Sequence, residues 1–241
     1  MLVAEEVAGG YGSSTVVDGI SLRVDRGEVV GLLGPNGHGK TTVARLLSGV
    51  LPLRGGRIHL NDDDVTGAQC HVIAQRGLTH VPQGDLLFGD MTVVENLRMG
   101  AFLRSRWSRR AELVDRAFSL FPRLHERRDS IARTLSGGER RMLAIGRGLM
   151  AGGTVLVVDE PALGLSPLMV ETIYDALRNL RDDNTCLLII EETPGRLEHI
   201  ADRLYLLDGG RMVAEGPTGE ILADQALLAT YLGVPNDGEA S

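Results

Sequence analysis

Residues 29–49 constrain this chain more than any other stretch. Five apolar residues, Val29–Leu33, run into Gly34-Pro35-Asn36-Gly37-His38-Gly39-Lys40-Thr41-Thr42, and the apolar positions of Thr41–Gly49 then have helical spacing. Two glycines separated by four residues and followed by Lys-Thr, between a strand and a helix, form a phosphate loop. Glycine lets the backbone curl so that successive N–H groups point at phosphate oxygens, and the helix N-terminus adds partial positive charge. The pattern assigns Lys40 to the β- and γ-phosphates of ATP and the Thr41 hydroxyl to Mg²⁺. Thr42 follows as a contact to the α-phosphate. Composition agrees: of 25 basic residues the only lysine is Lys40. A chain that otherwise uses arginine keeps lysine where a compact, mobile ammonium is needed.

The rest of the chain fits around this loop. Leu2–Val7 and Ile20–Val24 alternate like half-buried strands, and Gly77–Val81 reads as another short strand. Residues 84–134 read as a helical insertion, with amphipathic helices over Val93–Leu103 and Ala111–Phe121 and ten arginines against seven acids. From residue 135 the spacing predicts helices over Glu139–Met150, Leu168–Arg181 and Arg196–Ala201. Strands are expected over Val155–Val158, Leu187–Ile190, Arg203–Leu207 and Arg211–Glu215. Alternating helices and fully apolar strands imply an α/β fold with a mainly parallel sheet covered on both faces. The expected organisation is one domain over 1–233, with 1–83 and 135–233 as α/β core, 84–134 as helical subdomain and a polar, disordered tail at 234–241.

Two further segments carry chemistry. Val155–Val158 ends in Asp159-Glu160, which places Asp159 within reach of the metal through water and Glu160 over the γ-phosphate, where it can polarise an attacking water. Leu135-Ser136-Gly137-Gly138-Glu139-Arg140 precedes a helix and makes a second anion-binding geometry. One chain does not need two clamps for one γ-phosphate, but a head-to-tail dimer does.

At this point the chain resembles an ABC-family ATPase over nearly its whole length, in the order Tyr11, phosphate loop, Gln83, signature 135–139 and acidic strand 155–160. The resemblance implies a P-loop (RecA-like) core with an N-terminal antiparallel β subdomain and an inserted helical subdomain. It implies that Tyr11 stacks on adenine and that Gln83 senses Mg²⁺ and water and relays movement to a membrane subunit. Ser136, Gly137 and Gly138 would touch the γ-phosphate on the opposite chain. A narrower likeness lies in Met91–Leu97, Pro161–Pro167 and Tyr231-Leu232-Gly233, which are similar to ATP-binding subunits of branched-chain amino acid importers. Leu32–Thr42 and Asn61–Val65 suit lipopolysaccharide-exporting ATPases as well, and a soluble accessory ABC ATPase is a third reading. The implied partners are ABC transporter membrane subunits, a second ATPase subunit and, indirectly, a solute-binding protein, with the chain peripheral on the cytoplasmic face of the membrane.

Three departures matter. The family's histidine after strand Leu187–Ile190 is Glu192 here, next to Glu191. A carboxylate ~4 Å from a phosphate charge costs on the order of 4 kcal/mol at an effective dielectric of 20. Glu192 is therefore expected to point away, be protonated or slow the site, and a heterodimer with a histidine-bearing ATPase subunit is favoured over a homodimer. His38 replaces a small residue of the loop and is expected to face outward. Ser166 stands where many relatives have an aspartate. The net charge of −7 argues against a general nucleic-acid binder. Cys70 and Cys186 match no metal spacing and read as buried small hydrophobes.

Overall fold

A computed structural model describes residues 1–181 and 185–233; the tail expected to be disordered lies outside the described residues. The chain opens with strands β1 (Leu2–Gly9) and β2 (Val17–Val24), then β3 (Val29–Leu33) and helix α1 (Lys40–Leu47). Strands β4 (Gly55–Leu60) and β5 (Asp63–Asp64), helix α2 (Cys70–Gln75) and strand β6 (Leu78–Val81) follow. A helical stretch comprises α3 (Val93–Gly100), α4 (Arg104–Trp107), α5 (Arg110–Leu120) and α6 (Pro122–Glu126). The core then resumes with α7 (Gly137–Leu149), β7 (Val155–Asp159), α8 (Pro167–Arg178), β8 (Cys186–Glu191), β9 (Arg203–Asp208), β10 (Arg211–Pro217), α9 (Thr218–Ala223) and α10 (Gln225–Leu232).

Two sheets result. β2-β1-β4-β5 is antiparallel, and β10-β9-β3-β8-β7-β6 is parallel except for the β9–β10 edge hairpin. The central strands explain why two cores exist. Side chains alternate across a strand, so Val29 and Leu33, Leu156 and Val158, and Leu187 and Ile189 enter a core shared with the helical stretch, α7 and α8. Their neighbours Val30 and Leu32, Val155 and Val157, and Leu188 and Ile190 enter a second core against α1 and the antiparallel sheet. Burial on both faces favours apolar residues along the whole strand, which is why β3, β7 and β8 read as apolar runs, β7 and β8 ending in the buried carboxylates Asp159 and Glu191.

The structure corrects three expectations. Residues 196–201 do not form a helix: Pro194–Arg196 makes a 3₁₀ turn, and Ile200 and Ala201 close back on the Leu197 carbonyl. Helix α3 stops at Gly100 rather than Leu103, where a Cβ would lie 2.1 Å from the Arg147 carbonyl oxygen, so this glycine lets α3 press on the backbone of α7. Cys186 is buried as expected, but Cys70 is exposed at the start of α2.

Candidate functional site

The strand order decides what meets at the carboxyl ends of the parallel sheet, where open α/β sheets place their ligands. Reading across β3, β8, β7 and β6, the segments leaving those ends are the phosphate loop, Glu191-Glu192, Asp159-Glu160 and Pro82-Gln83. Residues far apart in sequence thus stand side by side because their strands are neighbours.

The phosphate loop spans the gap from β3 to α1. Gly37 and Gly39 have φ of 83° and 108°, a left-handed backbone that favours glycine, and Gly39 forms the N-terminal cap of α1. A Cβ on Gly34 would lie 2.4 Å from the Leu207 carbonyl oxygen, whereas one on Gly37 would meet nothing within 4 Å. The loop therefore packs on β9 at its start and is open at its crest. Lys40 is buried, and its Nζ donates to the carbonyl oxygens of Gly34 at 2.7 Å and Pro35 at 3.0 Å. It stands 4.0 Å from Glu160 Oε1. Burial lowers its pKa, opposed by Glu160 and then Glu192. His38 does not face freely outward: its Nδ1 lies 2.6 Å from the Asp208 carboxylate, tying the loop to the β9–β10 turn.

Asp159 and Glu160 close the other side. Asp159 is fully buried, and among the described residues no hydrogen bond of normal geometry reaches either carboxylate oxygen, although the Thr41 hydroxyl lies near it. Burial raises its pKa, while the Thr41 hydroxyl, Arg141 and Lys40 pull it down. An orphaned buried carboxylate beside a threonine hydroxyl is an incomplete set of hard oxygen donors, which suits Mg²⁺. Glu160 has φ of 46°, a conformation that costs a non-glycine residue about 1–3 kcal/mol and clusters at functional sites. The turn is held by the Glu160 N–H donating to the Ile190 carbonyl at 2.9 Å. Gln83 Nε2 donates to Glu160 Oε2 at 3.0 Å, which fixes the direction of the carboxylate. The Glu160 pKa is raised, first by burial and further by Asp159, Glu191 and Glu192, with Lys40 opposing.

Arg141 organises this corner and was invisible in the sequence. Its buried guanidinium donates to the carbonyl oxygens of Pro161, Asp159 and Glu160 and, across the site, to those of Pro82 and Gly84. Its neighbour Arg140 binds the Asp85 carboxylate at 2.8 Å. Helix α7 thereby grips both the Gln83 segment and the Glu160 turn. A second unforeseen cluster lies behind β8, where buried Glu191 accepts from the Tyr174 hydroxyl and pairs with Arg196 at 3.1 Å.

Ser136 caps α7 in a reciprocal arrangement: Glu139 N–H donates to its Oγ at 3.3 Å, and Ser136 N–H donates to the Glu139 carboxylate at 2.8 Å. Ser136 and Gly137 are exposed. Among the described residues no hydrogen bond or ion pair joins Ser136, Gly137 or Gly138 to the phosphate loop. Tyr11 is half-exposed after β1; its hydroxyl accepts from Arg45 Nη1 of α1 at 2.8 Å, and that guanidinium lies 5.9 Å from the ring centroid. Glu192 does not point away. Its Oε2 accepts from Asn36 Nδ2 of the phosphate loop at 2.8 Å.

The family pattern described as ABC transporter matches residues 17–163, from β2 through the phosphate loop, the signature and the acidic turn. The chain belongs to the ABC transporter ATPase family. It is 35% identical over 233 residues to the high-affinity branched-chain amino acid transport ATP-binding protein BraG of Pseudomonas aeruginosa, covering 97% of this chain and 100% of that one. It is 37% identical over 235 residues to the lipopolysaccharide export system ATP-binding protein LptB of Escherichia coli K12, covering 96% and 97%. Among solved structures, the ADP conformation of an ATP-binding cassette of an ABC transporter superposes with a TM-score of 0.83 at 28% identity, covering 97% of this chain and 99% of that one. This ABC ATPase is thus a nucleotide-binding subunit of a transporter, with the P-loop fold of that family. No helix among the described residues is long and apolar enough to cross a membrane.

Proposed function

We propose that this ABC ATPase couples ATP hydrolysis to the import of branched-chain amino acids or related small solutes. The observation that carries the reading is its end-to-end match with BraG. The match with LptB, at 37% identity, favours lipopolysaccharide-type export as the second reading. In both, residues 1–233 act as one ATPase domain with 84–134 as its helical subdomain.

The site residues take the following roles. The loop Gly34–Thr42 wraps the phosphates with its N–H groups, with Pro35, Asn36 and His38 shaping its course, and Lys40 leaves the Gly34 and Pro35 carbonyls to meet the β- and γ-phosphates. Thr41, Asp159 and Gln83 would hold Mg²⁺, which when bound neutralises phosphate charge. Glu160, aimed by Gln83, accepts the proton of the attacking water. Tyr11 stacks on adenine, sliding from its contact with Arg45. Ser136 and Gly137, exposed at the start of α7, with buried Gly138 behind them, close on the γ-phosphate held by a second ATPase subunit. An apolar groove of about 520 Å³, lined by Val50, Cys70, Ala74, Leu86 and Phe102, supports docking of a membrane subunit, with the chain peripheral on the cytoplasmic face. It lies beside Pro82, one residue from Gln83, so docking and the catalytic turn are mechanically adjacent.

The test is transport by the ATPase with its co-purified membrane subunits in proteoliposomes. ATP-dependent leucine uptake, lost in Glu160→Gln, is expected. Turnover without uptake of any branched-chain amino acid, together with co-purification of a lipid-exporting membrane subunit, would transfer the chain to the second reading.

A further inference from the structure

Resting on the ATP-site reading above, we infer that Glu192 sets the nucleotide preference of the site, holding a fixed negative charge against the γ-phosphate and so favouring ADP over ATP. The position follows from topology. β8 lies between β3 and β7, paired Leu33 to Glu191 on one side and Ile190 to Asp159 on the other. The residue leaving β8 therefore emerges between the phosphate loop and the Glu160 turn, and those two segments bracket the terminal phosphate. That residue is Glu192.

Its exposed carboxylate is directed onto the phosphate loop. The Asn36 amide donates to Oε2 at 2.8 Å and directs it onto the loop. Behind it, Glu191 is locked by Tyr174 and Arg196, and the Glu192 N–H donates back to Glu191 Oε2 at 3.2 Å, so the backbone from which Glu192 projects is fixed as well. Lys40 is the one ammonium available, and Glu160 already stands 4.0 Å from it. ADP brings to Lys40 only the charge of its β-phosphate. ATP adds charge where a carboxylate is held, so the extra phosphate binds against repulsion that a neutral side chain would not exert.

Binding of MgADP and of the non-hydrolysable analogue MgAMP-PNP to the purified chain, measured by isothermal titration calorimetry, tests this. Glu192→Gln keeps an oxygen for Asn36 and removes the charge. It is expected to tighten MgAMP-PNP about tenfold, the scale for removing one like charge from a partly solvated site, while MgADP changes less than about twofold. Glu192→Asp keeps the charge on a shorter stem and is expected to retain the wild-type preference. Equal changes for both nucleotides in Glu192→Gln, or no change in either, would overturn the inference and leave Glu192 a structural loop residue. Failure of the folded wild-type chain to bind either nucleotide would instead overturn the ATP-site reading, and this inference with it.

Discussion

Arg141 shows how much of the catalytic corner hangs on one side chain. Its guanidinium satisfies five carbonyl oxygens from two loops that are adjacent only in space. Arg141→Met fills similar volume but strands those acceptors, and with unsatisfied buried groups costing about 1–3 kcal/mol each, partly offset by water entry, a loss of roughly 3 kcal/mol is expected in urea unfolding. Turnover should fall further than stability explains, because the Gln83 and Glu160 segments lose their common anchor. Glu160 itself carries a pH signature. As its pKa is raised above the ordinary 4.5 by burial and neighbouring carboxylates, the acid limb of turnover should lie above pH 4.5. The native state binds the proton more tightly than the unfolded chain, so ionised Glu160 opposes folding as pH rises through its folded pKa. Glu160→Gln should therefore melt at a higher temperature than wild type at neutral pH while losing turnover. The sequence exposed Glu160, Asp159 and Lys40 because each sits in a short motif beside its strand or helix. It hid Arg141 because backbone carbonyls accept from any side chain that reaches them and leave no residue-type pattern. It exposed the anomaly of Glu192 but not its partner, since the contact with Asn36 depends on β3 and β8 being neighbours.

At the scale of elements, the apolar strands β3, β7 and β8 were legible because burial on both faces keeps them apolar up to the carboxylates Asp159 and Glu191 that end β7 and β8. β4 was not: Gly-Gly-Arg-Ile-His-Leu holds two glycines and one β-branched residue, and it is a strand because β1 offers a pairing edge. β6 carries a titration that its neighbours impose. His80 on this strand is half-buried, its Nδ1 is 3.1 Å from Ser48 Oγ at the end of α1, and among the described residues its buried Nε2 has no hydrogen-bond partner. Burial, then Arg45 and Arg141, lower its pKa to about 4. The unfolded chain therefore binds more protons than the native one between the ordinary 6.5 and about 4, and stability contributed by neutral His80 is complete above 6.5 and lost as pH falls through that window. Wild type should lose on the order of 1 kcal/mol per pH unit there relative to His80→Gln, as read from urea midpoints against pH. Helix α7 offers a second test. Ser136→Ala removes one half of the reciprocal cap and should cost about 1 kcal/mol of stability. If Ser136 also closes on a γ-phosphate in the opposing chain, turnover should fall well beyond what that cost explains.

For the whole molecule, the proposed roles of clamp and cradle make association the property to measure. Among the described residues no hydrogen bond or ion pair joins Ser136, Gly137 or Gly138 to the phosphate loop of their own chain, which supports the proposal that a second ATPase subunit supplies the clamp for each γ-phosphate. Two copies of this chain would supply both clamps, but each nucleotide would then face a Glu192 directed onto the loop by Asn36. The repulsion is paid at two sites in a homodimer and at one in a pairing with a subunit that lacks the carboxylate. Glu160→Gln, which retains ATP, should therefore remain largely monomeric with MgATP in sedimentation velocity at micromolar concentration, whereas Glu160→Gln with Glu192→Gln should dimerise. If the single variant dimerises as strongly as the double, the carboxylate does not oppose closure and this ABC ATPase is competent as a homodimer. If neither dimerises, the missing element lies outside Glu192, and a different ATPase subunit must supply the opposing face.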